Sequence, residues 1–353
     1  MISNHQAIEI LKAKSKNFNS QILPTEQCLN LVSAVDVMAP IDVPTFDNSA
    51  MDGYAISFED YQNDLELKIM DEIQAGAESI LPLKKGTVAR IFTGAPIPEN
   101  GDCVVPQEDI LVENGILKFQ KNLELNANIR QKGTQTKQGT IILKKNTQLT
   151  AEYIGFLATF GISELNVFPK PKIGIMVTGK ELIKAGNHLK NHQIYESNSV
   201  FLKAAFLAIG IEPVFSIWVD DDKIELKKAI QKHSETVDIL IFTGGISVGD
   251  YDFVKPVLEE LGVKESFYKI KQKPGKPLFF GTLNDTDIFA LPGNPSAVVT
   301  CYHAYIKPFV KAKMGLSTFD KREYGILLNN YSKKTGLTHF VKAFVENNKV
   351  EIL

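Results

Sequence analysis

The N-terminus is patterned as an amphipathic helix. Ser3 followed by Gln6 forms a capping-box start, and Ala7, Ile8 and Leu11 recur on one helical face with Glu and Lys between them. The texture then changes to short β-rich pieces broken by Gly and Pro. These are Ile41-Asp-Val-Pro44, Phe46 through Ile56, Thr87 through Phe92 leading into Thr93-Gly-Ala-Pro96, and Asp102 through Asp109. Many short strands between turn signals predict a small all-β unit. Thr150 opens a second helix, with Tyr153, Ile154, Leu157 and Ala158 on its face and Gly161 beyond its end. The two helices are far apart in sequence, and the pattern suggests that they pack together with the β unit inserted between them.

Phe168-Pro-Lys-Pro171 marks a boundary. Beyond it, compact apolar runs alternate with helical periods. Lys172–Val177, Pro213–Val219, Val237–Phe242 and Asp287–Leu291 read as strands. Asn198–Ile209 (closed by Gly210), Ile224–Lys232, Phe253–Leu261 (closed by Gly262) and Ser296–Met314 read as helices. This alternation predicts an α/β domain whose mostly parallel sheet is covered on both faces. After Gly315, three short strands are expected at Tyr324–Leu328, His339–Phe344 and Lys349–Ile352, too few to make a strong core alone.

At 353 residues the chain has room for two or three domains. Its formal net charge of −2 gives no basic excess to argue for nucleic acid, and no apolar run is long enough to span a bilayer. The N-terminal segment has neither an uninterrupted apolar region nor a cleavage site, so a cytoplasmic protein is expected. Cys28, Cys103 and Cys301 match no zinc spacing and read as small buried apolar side chains. His188 and His192 are four apart but sit among Gly and Asn in an expected loop, without the Glu of a metalloprotease helix.

Ligands of open parallel sheets bind beyond the carboxyl ends of the strands, so the chemistry is sought there. The segments in question are Thr178-Gly-Lys-Glu181, Asp220-Asp-Asp222, Thr243-Gly-Gly-Ile-Ser-Val-Gly-Asp-Tyr-Asp252 and Pro292-Gly-Asn-Pro-Ser296, with Lys269-Ile-Lys-Gln-Lys-Pro-Gly-Lys-Pro277 before the last strand. Gly244, Gly245 and Gly249 allow backbone N–H groups to approach an anion, and Ser247 adds a hydroxyl. Lys269, Lys273 and Lys276 are point charges suited to phosphate or an oxyanion. Glu181, Asp220, Asp250 and Asp252 are hard oxygen donors suited to Mg²⁺ shared with phosphate. Simpler roles compete. A Gly-Gly pair is often only a tight turn, Asp220-Asp-Asp222 is equally suited to capping the next helix, and Asp47-Asn-Ser and Asp52-Gly are turn formers.

Taken in order, these segments resemble the MoeA family, which includes the E domain of gephyrin. The resemblance rests on Phe46-Asp-Asn-Ser-Ala-Met-Asp-Gly-Tyr-Ala55, Thr93-Gly-Ala-Pro96, Asn128-Ile-Arg130, Ile194-Tyr195 with Asn198, Thr243-Gly-Gly-Ile-Ser-Val-Gly249 with Asp252, Lys273-Pro-Gly-Lys-Pro277 and Leu291-Pro-Gly-Asn-Pro295. It implies an elongated homodimer with four domains per subunit. On this chain they would be a discontinuous helical domain (1–42 and 140–170), an inserted β domain (43–139), a three-layer α/β/α domain like that of the adenylyltransferase MogA (171–316), and a C-terminal β-barrel (317–353). It also implies a reaction: molybdate is inserted at the dithiolene of adenylylated molybdopterin, with Mg²⁺, and AMP is released. A transient contact with a MogA-type adenylyltransferase is implied as well.

Carried over by position, the resemblance assigns catalytic roles to Asp52, Thr93, Arg130, Glu181, Asp220 and Asp252. Of these, Glu181, Asp220 and Asp252 are the expected metal ligands. Substrate binding is expected at Gly244, Gly245, Ser247, Gly249, Lys269, Lys273, Lys276, Pro292, Pro295 and Ser296. Asp52, Thr93 and Arg130 would complete a site facing the partner subunit.

The chain departs from many relatives in three places. Gly133-Thr134-Gln135 replaces Gly-Glu-Asp, Gly179-Lys180-Glu181 replaces Gly-Asp-Glu, and the C-terminal domain is about half its usual length. A second reading is therefore a molybdopterin-binding scaffold with impaired turnover. A third is another enzyme built on the same α/β module, such as the adenylyltransferase itself or a CinA-type domain, which would lack the first-half motifs.

Overall fold

The computed structural model describes residues 1–247, 249, 252–316, 319, 323–333 and 336–353. Two compact units are present. One comprises 1–35, 145–155 and 163–353, and the other 36–144 and 156–162.

The second unit is the β-rich one. Its six-stranded sheet runs in the order Cys103–Pro106, Gly53–Ile56, Thr87–Ile91, Lys68–Ile73, Ile116–Phe119, Ile110–Glu113. Side chains alternate along a strand, so the three strands Cys103–Pro106, Gly53–Ile56 and Thr87–Ile91 feed two cores. Tyr54, Ile56, Val88, Cys103 and Val105 enter one, and Ala55, Ala89, Ile91 and Val104 the other. Gly53 has no substitute in this sheet, because a Cβ there would lie 1.9 Å from the Val105 carbonyl oxygen.

In the first unit lies the α/β module. Its strands are β1 (Ile173–Val177), β2 (Phe215–Trp218), β3 (Ile239–Thr243), β4 (Lys264–Tyr268), β5 (Phe279–Leu283) and β6 (Thr286–Leu291), in the order β2-β1-β3-β6-β5-β4. β1, β2, β3 and β6 are parallel, whereas β5 pairs antiparallel with both β6 and β4. The helices are α1 (Asn198–Leu207), α2 (Lys223–Ser234), α3 (Val254–Glu260), α4 (Pro295–Cys301) and α5 (Lys307–Lys313).

Alternate residues of the sheet define the three layers. Ile173, Ile175, Ile239, Ile241, Phe289 and Leu291 pack with Leu202 and Phe206 of α1, Val298 of α4 and Phe309 of α5. Met176, Leu240, Phe242, Ile288 and Ala290 pack on the other side with Leu226 and Ile230 of α2 and Val254 and Val257 of α3. Each such Ile, Leu, Val, Met or Phe side chain, wholly removed from water, contributes roughly 1.5–3 kcal/mol.

The N-terminal helix, Asn4–Lys14, has its capping box in place and buries Ala7 and Leu11 in the first of these cores. Its Asn4 side chain donates to the Tyr305 hydroxyl at 2.7 Å. The first unit also holds a three-stranded sheet in which Glu164–Phe168 sits between Gln21–Pro24 and Val32–Ser33.

Three expectations are revised. The Ser296–Met314 helix is α4 and α5 joined by a π-helical turn, Tyr302–Ile306. Pro308 has no N–H to donate one turn back, and the hydrogen-bond ladder widens just before it. β4 and β5 lie in a stretch where no strand is expected from the pattern; β5 returns to β6 through Asn284-Asp285, with Asn284 at φ 52°. The expected strand His339–Phe344 is split. Thr338–His339 pairs with Gln272–Lys273 of the module, and Ala343–Glu346 joins Lys349–Ile352 and Ile326–Leu327 in a small exposed sheet.

Candidate functional site

β1 connects outward to β2, and β2 then connects back across to β3 on the other side of β1. The loops after β1 and β3 therefore diverge, and a crevice opens where they part. The structure has a cleft of about 580 Å³ there, lined by the segments after β1, β3 and β6 together with Ile194 and Asn198.

The turn after β3 forms one wall. Gly244 and Gly245 have φ of 90° and 62°. A Cβ on Gly244 would stand 2.5 Å from the Thr178 carbonyl oxygen, and one on Gly245 would stand 2.8 Å from the Val254 side chain. Only glycine lets the backbone lie this close to the neighbouring loop. Opposite, Asn294 caps α4 by accepting from the Ser296 N–H at 2.9 Å, and Pro295 occupies the first helical turn, where its missing N–H costs nothing. Asn198 donates to the Gly293 carbonyl at 2.8 Å, joining the start of α1 to the loop after β6. At the start of α1, the buried Glu196 carboxylate accepts from both the N–H and the hydroxyl of Ser199, each at 2.7 Å.

Among the described residues, the buried polar atoms of this cleft without a hydrogen-bond partner include Oδ1 of Asn198 and Oγ1 of Thr243. Their residues are 7% and 1% exposed. Unpaired buried acceptors and donors are costly, and a polar ligand in the cleft would satisfy them.

Glu181, Asp221 and Asp252 line the same cleft. Asp221 accepts from the Lys180 N–H at 3.0 Å, yet burial pushes its carboxyl above the usual range, and Glu181 adds to that rise. Asp252 accepts from the Gly249 N–H at 2.7 Å. Asp220 instead lines a neighbouring hollow, and Asp222 caps α2, accepting from the N–H groups of Ile224 and Glu225. The three consecutive acids thus take three different positions, and Asp221 is the one that shares the cleft. Asp250 lies outside the described residues. Among the described residues no three acidic, His or Cys side chains converge tightly enough to form a metal cage.

The remaining expected residues of the module are not all brought to this cleft. Gly249 and Pro295 line it, whereas Ser247 and Ser296 do not, and Ser296 borders a different hollow beside α4. Pro292 immediately precedes the Gly293–Pro295 wall. Lys269 is half-buried, with its ammonium 4.8 Å from the centre of the Tyr268 ring. Lys273 and Lys276 are exposed and flank Gly275, whose carbonyl accepts from Gln272 at 2.9 Å. Thr178, Asn198, Thr243 and Asn294 line the cleft but were not singled out as ligand groups in the sequence, where each is an ordinary polar residue at a strand end or helix start.

A second group of expected residues comes together inside the β-rich unit. One carboxylate oxygen of Asp52 accepts from both the N–H and the hydroxyl of Thr93, each at 2.7 Å. These bonds hold the Asp52 carboxyl below the usual range, and the charge of Arg90 lowers it further. Ile129–Arg130 pairs with Asn48–Ser49, and Ser49 in turn exchanges backbone bonds with Gly94 and Ala95. Asp52, Thr93 and Arg130 are all exposed. Gln135 donates its N–H to the Val43 carbonyl at 3.0 Å.

Fold and cleft together define a two-unit protein whose α/β module opens a polar-lined crevice at the switch point of its sheet. Residues 2–161 match the model of the MoeA N-terminal region, domains I and II, and residues 174–312 match that of a probable molybdopterin-binding domain. The chain is 34% identical to a molybdopterin molybdenumtransferase of Haemophilus influenzae, over 97% of this chain and 87% of that one. It is 32% identical to a Staphylococcus aureus protein of the same name, over 96% and 82%. It superposes on the MoeA protein from Pyrococcus horikosii with a TM-score of 0.84 and 30% identity, covering all of this chain and 90% of the other. The chain belongs to the molybdopterin molybdenumtransferase (MoeA) family, transferases of molybdenum-cofactor biosynthesis.

Proposed function

We propose that this protein transfers molybdenum from molybdate to adenylylated molybdopterin and releases AMP. The observation that carries the reading is the cleft at the β1–β3 switch point. A glycine turn there opens backbone to a phosphate, Asn198 and Thr243 offer unpaired polar atoms, and three carboxylates line the rim. Glycine turns next to helix starts favour phosphate. Glu181, Asp221 and Asp252 present hard oxygen donors suited to Mg²⁺ that also takes phosphate oxygens, so a closed protein cage is not required. When bound, Mg²⁺ supplies charge neutralisation at the phosphate. The protein's own groups orient it: the Gly244–Gly245 backbone receives the phosphate, Asn198 and Thr243 fix one face, and Lys269, Lys273 and Lys276 bring positive charge to the approaching anion.

The family relationship supports a homodimer of four-domain subunits, working in the cytoplasm beside a MogA-type adenylyltransferase. The C-terminal strands would belong to the family's C-terminal β domain. Asp52, Thr93 and Arg130 would complete a site facing the partner subunit, with Arg130 holding phosphate or molybdate and Asp52 positioning the ligand. The match of residues 2–161 favours this reading over a stand-alone adenylyltransferase or CinA-type module.

The test is AMP release from adenylylated molybdopterin with Mg²⁺, with and without molybdate. Molybdate-dependent release is expected. Tight binding without release would instead indicate the scaffold reading. Alanine at Asp52 and at Lys273 should each abolish insertion; full activity in both would overturn the residue assignment.

A further inference from the structure

Beside the cleft lies a second hollow, of about 460 Å³. It shares Gly179, Leu182 and Asp221 with the cleft, so the two are continuous along the loop after β1. Its other walls include Trp218, Lys180 and Lys184. Trp218 ends the edge strand β2, is 36% exposed, and is the single tryptophan of the chain. An indole at the mouth of a hollow is poorly placed for water and well placed for a flat ring.

We propose that this hollow takes the planar, amino-bearing nitrogen heterocycle of the ligand whose phosphate lies at Gly244–Gly245. The inference rests on the phosphate role assigned to the cleft above. Trp218 stacks on the ring, the half-buried Asp221 accepts from its N–H groups, and Lys180 and Lys184 attract the anionic ligand. Lys180 places a cation on this wall. The volume falls within the range of roughly 300–1,000 Å³ usual for small-molecule sites. Adenine and pterin both have the required chemistry, and the experiment separates them.

A single tryptophan makes the hollow directly observable. The full chain is titrated with AMP, with ribose 5-phosphate as a ringless control, and with a phosphorylated pterin. Indole fluorescence reads AMP; calorimetry reads all three. If adenine occupies the hollow, AMP quenches the fluorescence and Trp218→Ala weakens AMP about 5- to 150-fold, the range of base-on-aromatic stacking. Ribose 5-phosphate is then unaffected, and Trp218→Phe restores most of the affinity. The same pattern for the pterin alone would place that ring there. Thermal unfolding of both variants checks that the fold survives. Equal affinities in Trp218→Ala for every probe, or an equal loss for ribose 5-phosphate, would overturn the proposal. If the phosphates still bind and Gly244→Ala abolishes that binding, the reading of the cleft stands without the hollow. No binding of any probe would overturn both.

Discussion

Tyr268 holds Ile246 in place: its hydroxyl lies 2.9 Å from the Ile246 carbonyl oxygen, to which it donates, with the Ser247 carbonyl at 3.1 Å sharing the same proton. The last residue of β4 thereby anchors the loop that follows β3. The same ring carries the ammonium groups of Lys269 and Lys255, at 4.8 and 5.2 Å from its centre. Burial pushes the phenol above its usual range, which keeps it a donor at neutral pH. Tyr268→Phe keeps the ring and loses the anchor. AMP affinity should fall about 2- to 10-fold, matching a hydrogen bond of roughly 0.5–1.5 kcal/mol, and amide exchange at Gly245 and Ile246 should quicken. Unchanged exchange would mean that the loop does not depend on the hydroxyl.

Gly244 tests the glycine turn itself. Alanine at this position meets a left-handed φ of 90° and a carbonyl at 2.5 Å. The expected cost is about 1–3 kcal/mol of stability, because the loop must move to relieve both conflicts. Binding of AMP should be lost with it. The urea midpoint and a binding titration check the two effects separately, and wild-type values for both would refute the argument.

The Asp52–Thr93 pair predicts a pH dependence. The Asp52 carboxyl is held below its ordinary value in the folded protein. Its contribution is therefore fully present above the pKa of an unfolded Asp. It is lost as the pH falls through the lower folded value. A carbon-13 NMR titration of the Asp52 carboxyl should place its midpoint below that of an unperturbed Asp, and Thr93→Val should raise it. A midpoint at the ordinary value in the wild type would contradict the geometry.

Lys313 and Asp287 form a buried ion pair between α5 and β6, with the two residues 9% and 5% exposed. Burial pushes the Asp287 carboxyl up and Lys313 pulls it back. Lys313→Met removes that compensation and should cost about 3–5 kcal/mol, whereas Lys313→Met with Asp287→Asn should recover much of the loss. Denaturant midpoints of the wild type and both variants decide this; equal midpoints for the single and double variants would show that the stranded charge is not the cause.

The layers of the α/β module were legible because β1, β3 and β6 are largely apolar and buried on both faces, as the strands of a covered parallel sheet are. The glycine turn was legible because positive φ restricts the residue type. The choice among Asp220, Asp221 and Asp222 was not, since identical side chains are sorted by the local path of the loop. β4 and β5 were hidden for a related reason. Their antiparallel pairing depends on the two-residue turn at Asn284-Asp285 and on neighbours distant in sequence, neither of which alters composition. The roles of Asn198 and Thr243 arise from what surrounds them, and a lone polar residue carries no such signal.

The bond from Asn4 to Tyr305 spans 301 positions of sequence. During synthesis the N-terminal helix emerges long before the core that receives Ala7 and Leu11 exists. Its apolar face remains exposed until α4 and α5 have left the ribosome, while the β-rich unit has already been completed in the interval. Contacts of such long range slow folding. The nascent chain therefore presents an uncovered amphipathic segment for most of its translation, a natural substrate for chaperones that bind ribosome-bound chains, and newly made protein should depend on them more than protein that has already folded.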